Sequence, residues 1–203
     1  FLVCAVEHKK KNLANIDDIE TFQKTIMGVE KKQLPYSLCM TNLILHDFDE
    51  LNIIHGNMLS SPVKGIRPAD KVDIIIPNPQ FGGAEEDGIE GNFPAGFQTR
   101  ETADLFMTLL MYKLKPTGRA AIVLPDGFLF GEGIKTTIKT KLLSEFNLHT
   151  IVRLPNGVFS PYSDINTNLL FIEAGKPTSE IWYYQAPLPE GYKKYTKTKP
   201  IQN

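Results

Sequence analysis

The chain of 203 residues carries 22 basic and 23 acidic side chains, a net charge of −1, with 42% hydrophobic and 22% charged residues. That is one domain's length and an ordinary globular composition, which excludes a disordered segment. The near-zero charge excludes a small basic protein held on DNA by phosphate contacts alone, and two cysteines, Cys4 and Cys39, exclude a disulfide framework and point to a reducing, cytoplasmic setting.

The run from Phe1 to Val6 is apolar, but Lys9, Lys10 and Lys11 follow it, the wrong order for a signal peptide. No apolar stretch approaches the ~18 residues that span a bilayer, so no membrane partner is expected. The chain opens at Phe1 inside an apolar run, with no methionine, and reads as a piece of a longer protein. A first strand signal covers Thr25 to Glu30. A helix is expected from about Pro35, and its leucines at 34, 38, 43 and 45 suggest that it is largely buried. Further strands are expected at Asn52 to Gly56 and at Lys71 to Ile76, the latter ended by Pro77 and Pro79.

Residues 82–98 form a long acidic loop with Gly82, Gly83, Gly88, Gly91 and Gly96, read as flexible. The spacing of Phe106, Leu109, Leu110 and Leu114 predicts a helix, stopped by Pro116 and Gly118. Ala120 to Leu124 reads as a strand covered on both faces. Ile134, Ile138 and Leu142 mark a second amphipathic helix. Leu148 to Leu154 and Thr167 to Ile172 are strands whose short connection lets them pair antiparallel. Ile181 to Tyr184 is a candidate edge strand, and the lysines after Pro187 predict a mobile basic tail or linker over 187–203, leaving 1–186 as the folded domain. Strands separated by helices predict an α/β, doubly wound, mostly parallel sheet with an antiparallel C-terminal strand pair.

In such sheets ligands bind beyond the carboxyl ends of the strands. Those ends deliver Glu30, Asn57, Asn78 and Asp126, four polar groups expected on one edge. The segment Ile76-Pro77-Asn78-Pro79-Gln80-Phe81 is the most pointed. An Asn78 amide and the Pro79 carbonyl can engage an exocyclic amino group, and Phe81 offers a face for a planar base. His8, His46, His55 and His149 show no metal-ligand spacing and make no zinc set with the cysteines.

That segment resembles the Asn-Pro-Pro-aromatic motif of amino-group methyltransferases. The chain around it is similar throughout to one family: Gly28-Val-Glu-Lys31, Phe81-Gly-Gly83, Thr99-Arg-Glu-Thr-Ala-Asp104, Gly118-Arg-Ala-Ala-Ile-Val-Leu-Pro-Asp-Gly127, and Asn147-Leu-His-Thr-Ile-Val-Arg-Leu-Pro-Asn-Gly-Val-Phe159. The family is the modification subunit of type I restriction–modification systems, adenine-N6 DNA methyltransferases that use S-adenosylmethionine. The resemblance implies that Asn78, Pro79 and Phe81 hold the target base. It implies that Glu30 accepts from the cofactor's ribose and that Asn57 and Met58 lie at its adenine. It also implies partners: double-stranded DNA with a flipped adenine, a specificity subunit and a restriction subunit. Gln80 replaces the usual second proline, and Asn57 the usual aspartate. The family's first strand and glycine-rich cofactor turn are absent from the sequence, which begins where that turn would end. The isolated chain is therefore expected to be inactive and to bind S-adenosylmethionine no more tightly than about 1 mM, roughly −4 kcal/mol. The alternatives are a methyltransferase acting on cytosine N4 or a protein glutamine, and a non-catalytic scaffold or interaction fragment.

Overall fold

The computed structural model describes residues 1–11, 16–48 and 52–201. Packing divides the chain into two compact units, Phe1–Ser60 and Ser61–Asn203. None of the described helices is long and apolar enough to cross a membrane.

The first unit runs α1 (Leu2–Lys10), α2 (Ile16–Thr25), β1 (Gly28–Glu30), α3 (Gln33–Ile44) and β2 (Ile53–His55). The apolar start of the chain is thus a helix. Its Val6 is buried with Leu43 and Phe48, and Phe22, Ile26 and Ile53 pack against them. The two strands pair in parallel, from Gly28 opposite Ile53 to Glu30 opposite His55. A Cβ at Gly28 would meet the Ile53 Cδ1 atom at 2.8 Å, so a residue without one lets the strands pack at this spacing. The expectation of a largely buried α3 is corrected. Only Leu43 is buried, while Leu34, Leu38 and Leu45 are 69%, 60% and 74% exposed. The reason is geometric: apolar residues surround this helix, but the other elements of the unit cover only its Cys39–Leu43 side.

The second unit carries β3 (Val72–Ile75), α4 (Thr102–Lys113), β4 (Leu114–Pro125), α5 (Asp126–Phe130), α6 (Ile134–Glu145), β5 (Phe146–Arg153), β6 (Thr167–Ala174) and β7 (Trp182–Gln185). These strands form one sheet in the order β3-β4-β6-β5-β7. β3 pairs with β4 in parallel, and β7 with β5, whereas β6 is antiparallel to both β4 and β5. Four strands therefore run one way and β6 alone is reversed, as its short connection from β5 permits. β7 lies at the edge, as its sequence suggests. The core gathers Met107, Leu110 and Met111 from α4, Ile138 and Leu142 from α6, and Ile122, Leu124, Leu170 and Ile172 from the sheet.

Two further expectations change. The helix expected to carry Leu114 ends at Lys113, ahead of its stops Pro116 and Gly118, and the chain passes directly into β4, so Leu114 is a strand residue. Opposite β3 the register jumps from Val72–Leu114 to Ile74–Arg119, so 115–118 bulge out of the ladder, where a proline needs no ladder donor. The segment after Pro187 is seated rather than loose at Tyr195, which is 7% exposed and donates its backbone N–H to Asn156 O at 2.9 Å. The last two residues of that segment, 202–203, lie outside the described residues.

The N-terminal turns of α4 and α6 are joined by a charge cluster, buried at Asp104 and Lys135 and exposed at Glu101. Lys135 Nζ donates to Asp104 Oδ2 at 2.6 Å and to Glu101 Oε2 at 2.5 Å. Asp104 is fully buried, and its Oδ1 has no hydrogen-bond partner among the described residues. Burial pushes the Asp104 pKa up, with Lys135 opposing incompletely. Burial works against the Lys135 ammonium, but its two carboxylate partners outweigh that and raise its pKa. Removing one member of such a cluster leaves a buried charge uncompensated, whereas removing a matched pair does not. Lys135→Met is expected to lower the unfolding free energy by about 3–5 kcal/mol in urea titrations, and Lys135→Met/Asp104→Leu to recover most of it. Leu170→Ala, at the fully buried centre of β6, is expected to lower it by about 3 kcal/mol.

Candidate functional site

In the first unit, the parallel pairing of β1 and β2 brings their carboxyl ends side by side. Glu30 is the last residue of β1, and its Oε1 accepts from Lys32 N at 2.8 Å across the turn into α3. Asn57 follows β2 by two residues, and its Oδ1 accepts from Leu59 N at 3.0 Å, which fixes the amide's orientation; Met58 lies half-buried between them. The rings of Tyr36 and His55 meet beside this end at 5.1 Å. A carboxylate at one strand end, a fixed amide at the next and a thioether beside it form a donor set that fits the adenosine half of S-adenosylmethionine: acceptors for hydroxyls and an amino group, with an apolar flank.

In the second unit, β3 and β4 run parallel, so the segment after β3 and the segment after β4 emerge at the same edge. Pro77 O accepts from Val123 N, tying the start of the motif to β4. Asn78 then stands exposed, Pro79 is buried, Gln80 is exposed and Phe81 is half-buried. A buried proline between exposed Asn78 and Gln80 stiffens this stretch of backbone. Phe81 meets Phe159 edge to face, with centroids 5.2 Å apart and planes at 69°. Phe159 comes from the loop between β5 and β6, where no local pattern in the sequence assigns it a role. Its signal was available only as an aromatic in Asn156-Gly-Val-Phe159, with nothing local to pair it with Phe81.

The chain leaving the motif is pinned to α4. Gly83 O accepts from Thr102 N at 3.0 Å, and Thr102 Oγ1 lies 3.1 Å from the same oxygen and 3.0 Å from Glu85 Oε1. Glu85 N donates to Arg100 O at 2.8 Å, and Arg100 forms an ion pair with Asp87 at 2.9 Å. The acidic loop read as flexible thus starts in a fixed backbone pairing, with Ala84 bridged to Glu101 and Glu85 buried. Short 3₁₀ turns at Ile89–Asn92 and Ala95–Phe97 occupy its later part. A Cβ at Gly83 would stand 3.2 Å from Thr102 Oγ1, so a glycine suits this close approach.

A cavity of about 250 Å³ lies behind this turn, walled by Gly82, Gly83, Ala103, Pro125, Phe128 and Ile165, with the Asp104 carboxylate among its polar lining. Asp126, expected as an acceptor at the edge, is already engaged: its Oδ1 receives the Arg153 guanidinium and Asn168 Nδ2, the latter at 2.8 Å. It ties the ends of β4, β5 and β6 together beneath the cavity-lining Pro125 and Gly127. Of the four expected strand-end groups, Glu30 and Asn57 therefore share one edge in the first unit, and Asn78 and Asp126 one edge in the second. No cluster of three or more histidine, cysteine or carboxylate side chains suited to a metal occurs among the described residues.

Comparison with known proteins places these features in a family. The N-6 DNA methylase family matches residues 1–203. The chain is 56% identical over 204 residues to the type I restriction enzyme EcoEI methylase subunit of Escherichia coli, covering all of this chain and 41% of that protein. It superimposes on a modification subunit from Vibrio vulnificus YJ016 with a TM-score of 0.93 and 50% identity, covering all of this chain and 43% of that one. A class I S-adenosylmethionine-dependent methyltransferase from Listeria monocytogenes shares the fold alone, with a TM-score of 0.64 at 20% identity over 78% of this chain and 48% of its own. The chain spans about two fifths of the length of the relatives it matches. The mixed α/β sheet, mostly parallel with β6 reversed, is that of S-adenosylmethionine-dependent methyltransferases, and the chain belongs to the N-6 DNA methylase family.

Proposed function

We propose that the protein works as the modification subunit of a type I restriction–modification enzyme, transferring a methyl group from S-adenosylmethionine to adenine N6 in duplex DNA. The observation that carries this reading is the Asn78-Pro79-Gln80-Phe81 turn at the carboxyl end of β3, stiffened by a buried proline and braced by Phe159. In this reading the Asn78 carbonyl oxygen and the Pro79 carbonyl accept the two N–H bonds of the target amino group. Accepting both draws nitrogen electron density away from the ring and toward the incoming carbon. Phe81 lies under the base, and Phe159 keeps Phe81 from turning away. N6 forms one bond to the methyl carbon and gives up one proton, and the bond between that carbon and its sulfur breaks. S-adenosylmethionine, when bound, supplies the methyl group on a positively charged sulfur. Glu30 would hold its ribose hydroxyls, and Asn57 and Met58 its adenine.

Positioning is the main contribution, since no covalent intermediate or metal is required. Thr102 serves it by holding Gly83, two residues beyond Phe81, through both its N–H and its hydroxyl. Gln80 in place of a second proline leaves the Pro79 carbonyl in the motif. Sequence recognition would come from a specificity subunit, in keeping with a chain of net charge −1, and cleavage from a restriction subunit.

The assembled enzyme containing Asn78→Ala is expected to lose at least about a hundredfold in methyl transfer, read by tritium incorporation, with an unchanged melting temperature. Undiminished transfer would overturn the assignment, and label recovered in cytosine or in protein would redirect it. Thr102→Val is expected to lower kcat about tenfold and to speed amide exchange at Glu85, with Thr102→Ser close to wild type.

A further inference from the structure

The segment following β7 concentrates positive charge: between Pro187 and Ile201 there are four lysines, Lys193, Lys194, Lys197 and Lys199, against a single acidic residue, Glu190. All four are exposed. The chain as a whole has a net charge of −1, so this density is local.

The segment has a defined seat. Tyr195 is 7% exposed, and its N–H donates to Asn156 O at 2.9 Å. Gly157, at φ +78°, lies so close that a Cβ there would stand 2.1 Å from Tyr195 O. Tyr192 packs edge to face on Tyr195 at 5.9 Å, and Lys199 Nζ lies 5.3 Å over the Tyr192 ring. Backbone pairing between Thr196 and Lys199 closes a tight turn that carries Lys197 outward. The only ion pair recorded for these lysines among the described residues is the loose one from Lys194 to Asp164, at 3.6 Å between exposed groups. The loop that receives Tyr195 is the one whose Phe159 braces Phe81. Buried ring and backbone contacts thus fix a set of ammonium groups to the loop that forms one side of the motif turn.

We infer that Lys193, Lys194, Lys197 and Lys199 form a phosphate-contacting rim that grips the DNA backbone beside the extruded base. This rests on the methyltransferase reading and adds the surface that holds the strand while the base is out. Lysine ammonium groups suit it because they meet phosphates as mobile point charges and need no fixed fork geometry. Contacts of this type set register on the duplex and carry no sequence information, which matches a subunit whose sequence reading is done elsewhere. An acidic face of a partner subunit is the competing occupant.

The test uses the assembled methyltransferase, wild type and with all four lysines changed to glutamine, bound to a random-sequence 40-base-pair duplex between about 50 and 200 mM salt. Each lost phosphate contact removes about 0.9 from the slope of log affinity against log salt, so the variant's slope is expected to fall by about 2–4. Affinity near 100 mM salt is expected to drop at least tenfold. KM for plasmid DNA should rise with it, kcat at saturating DNA should change less than twofold, and replacement of all four by arginine should restore binding. An unchanged slope overturns the inference, as does failure of the variant to assemble combined with a wild-type slope in whatever complex forms, which assigns the lysines to a protein partner. A wild-type enzyme that binds DNA through these lysines yet methylates no adenine overturns the activity and leaves the rim standing. One that binds no DNA overturns both.

Discussion

The seven-rung antiparallel ladder between β4 and β6, from Arg119–Glu173 to Pro125–Thr167, is the constraint on which the second unit depends. It places Ile122 and Leu124 beside Leu170 and Ile172, all fully buried, so the sheet's centre is apolar. β4 then serves as the template for β3, and the parallel pairing of those two fixes the edge at which Asn78 emerges. At the far end of the ladder, Asp126 draws in Arg153 and Asn168, so the strand ends beneath the cavity are locked by charge where hydrophobic packing runs out. The site inherits its precision from a sheet that is rigid well away from it.

A second tier of constraint works through polar groups in the core. Lys135 holds the first turn of α4, Thr102 in that turn holds Gly83, and Gly83 follows the motif by two residues. The Lys135–Asp104 link joins buried groups, where a lost partner is not replaced by water, and the Thr102–Gly83 link is partly buried. The loop carrying Asn78, Pro79 and Phe81 is therefore fixed at one end by β3 and at the other by a helix terminus.

Much of this was legible in the residues. The apolar runs at 71–76, 120–124, 148–154 and 167–172, and the three- and four-residue spacing of α4 and α6, reflect burial, and burial is what such patterns encode. The strand-end polar groups and the Asn78 motif were legible because strand ends are local. The misreadings share a cause in tertiary context. The leucines of α3 describe how apolar that helix is and say nothing about which side is covered. Leu114 continues the spacing of α4 but falls in β4, and Pro116 and Gly118, which follow the helix end, sit in a bulge that needs no ladder donor. α2 passed unread although Ile19, Phe22, Gln23 and Ile26 fall at helical spacing, because acidic residues dilute its apolar face. Lys135 gave one faint sign: it falls on the same stripe as Ile138 and Leu142, where a lysine needs a buried partner. Phe159 gave none, because its partner is 78 residues away.

The seating of the lysine segment has one further consequence. Its anchor is built from main-chain atoms, one glycine and a pair of rings, to which Lys199 adds its ammonium over Tyr192. Charges at positions 193, 194 and 197 can therefore be added or removed by substitution while the docking geometry stays as it is. In the proposed rim, grip on the polymer is a property that single codon changes raise or lower independently of the sheet and the motif turn.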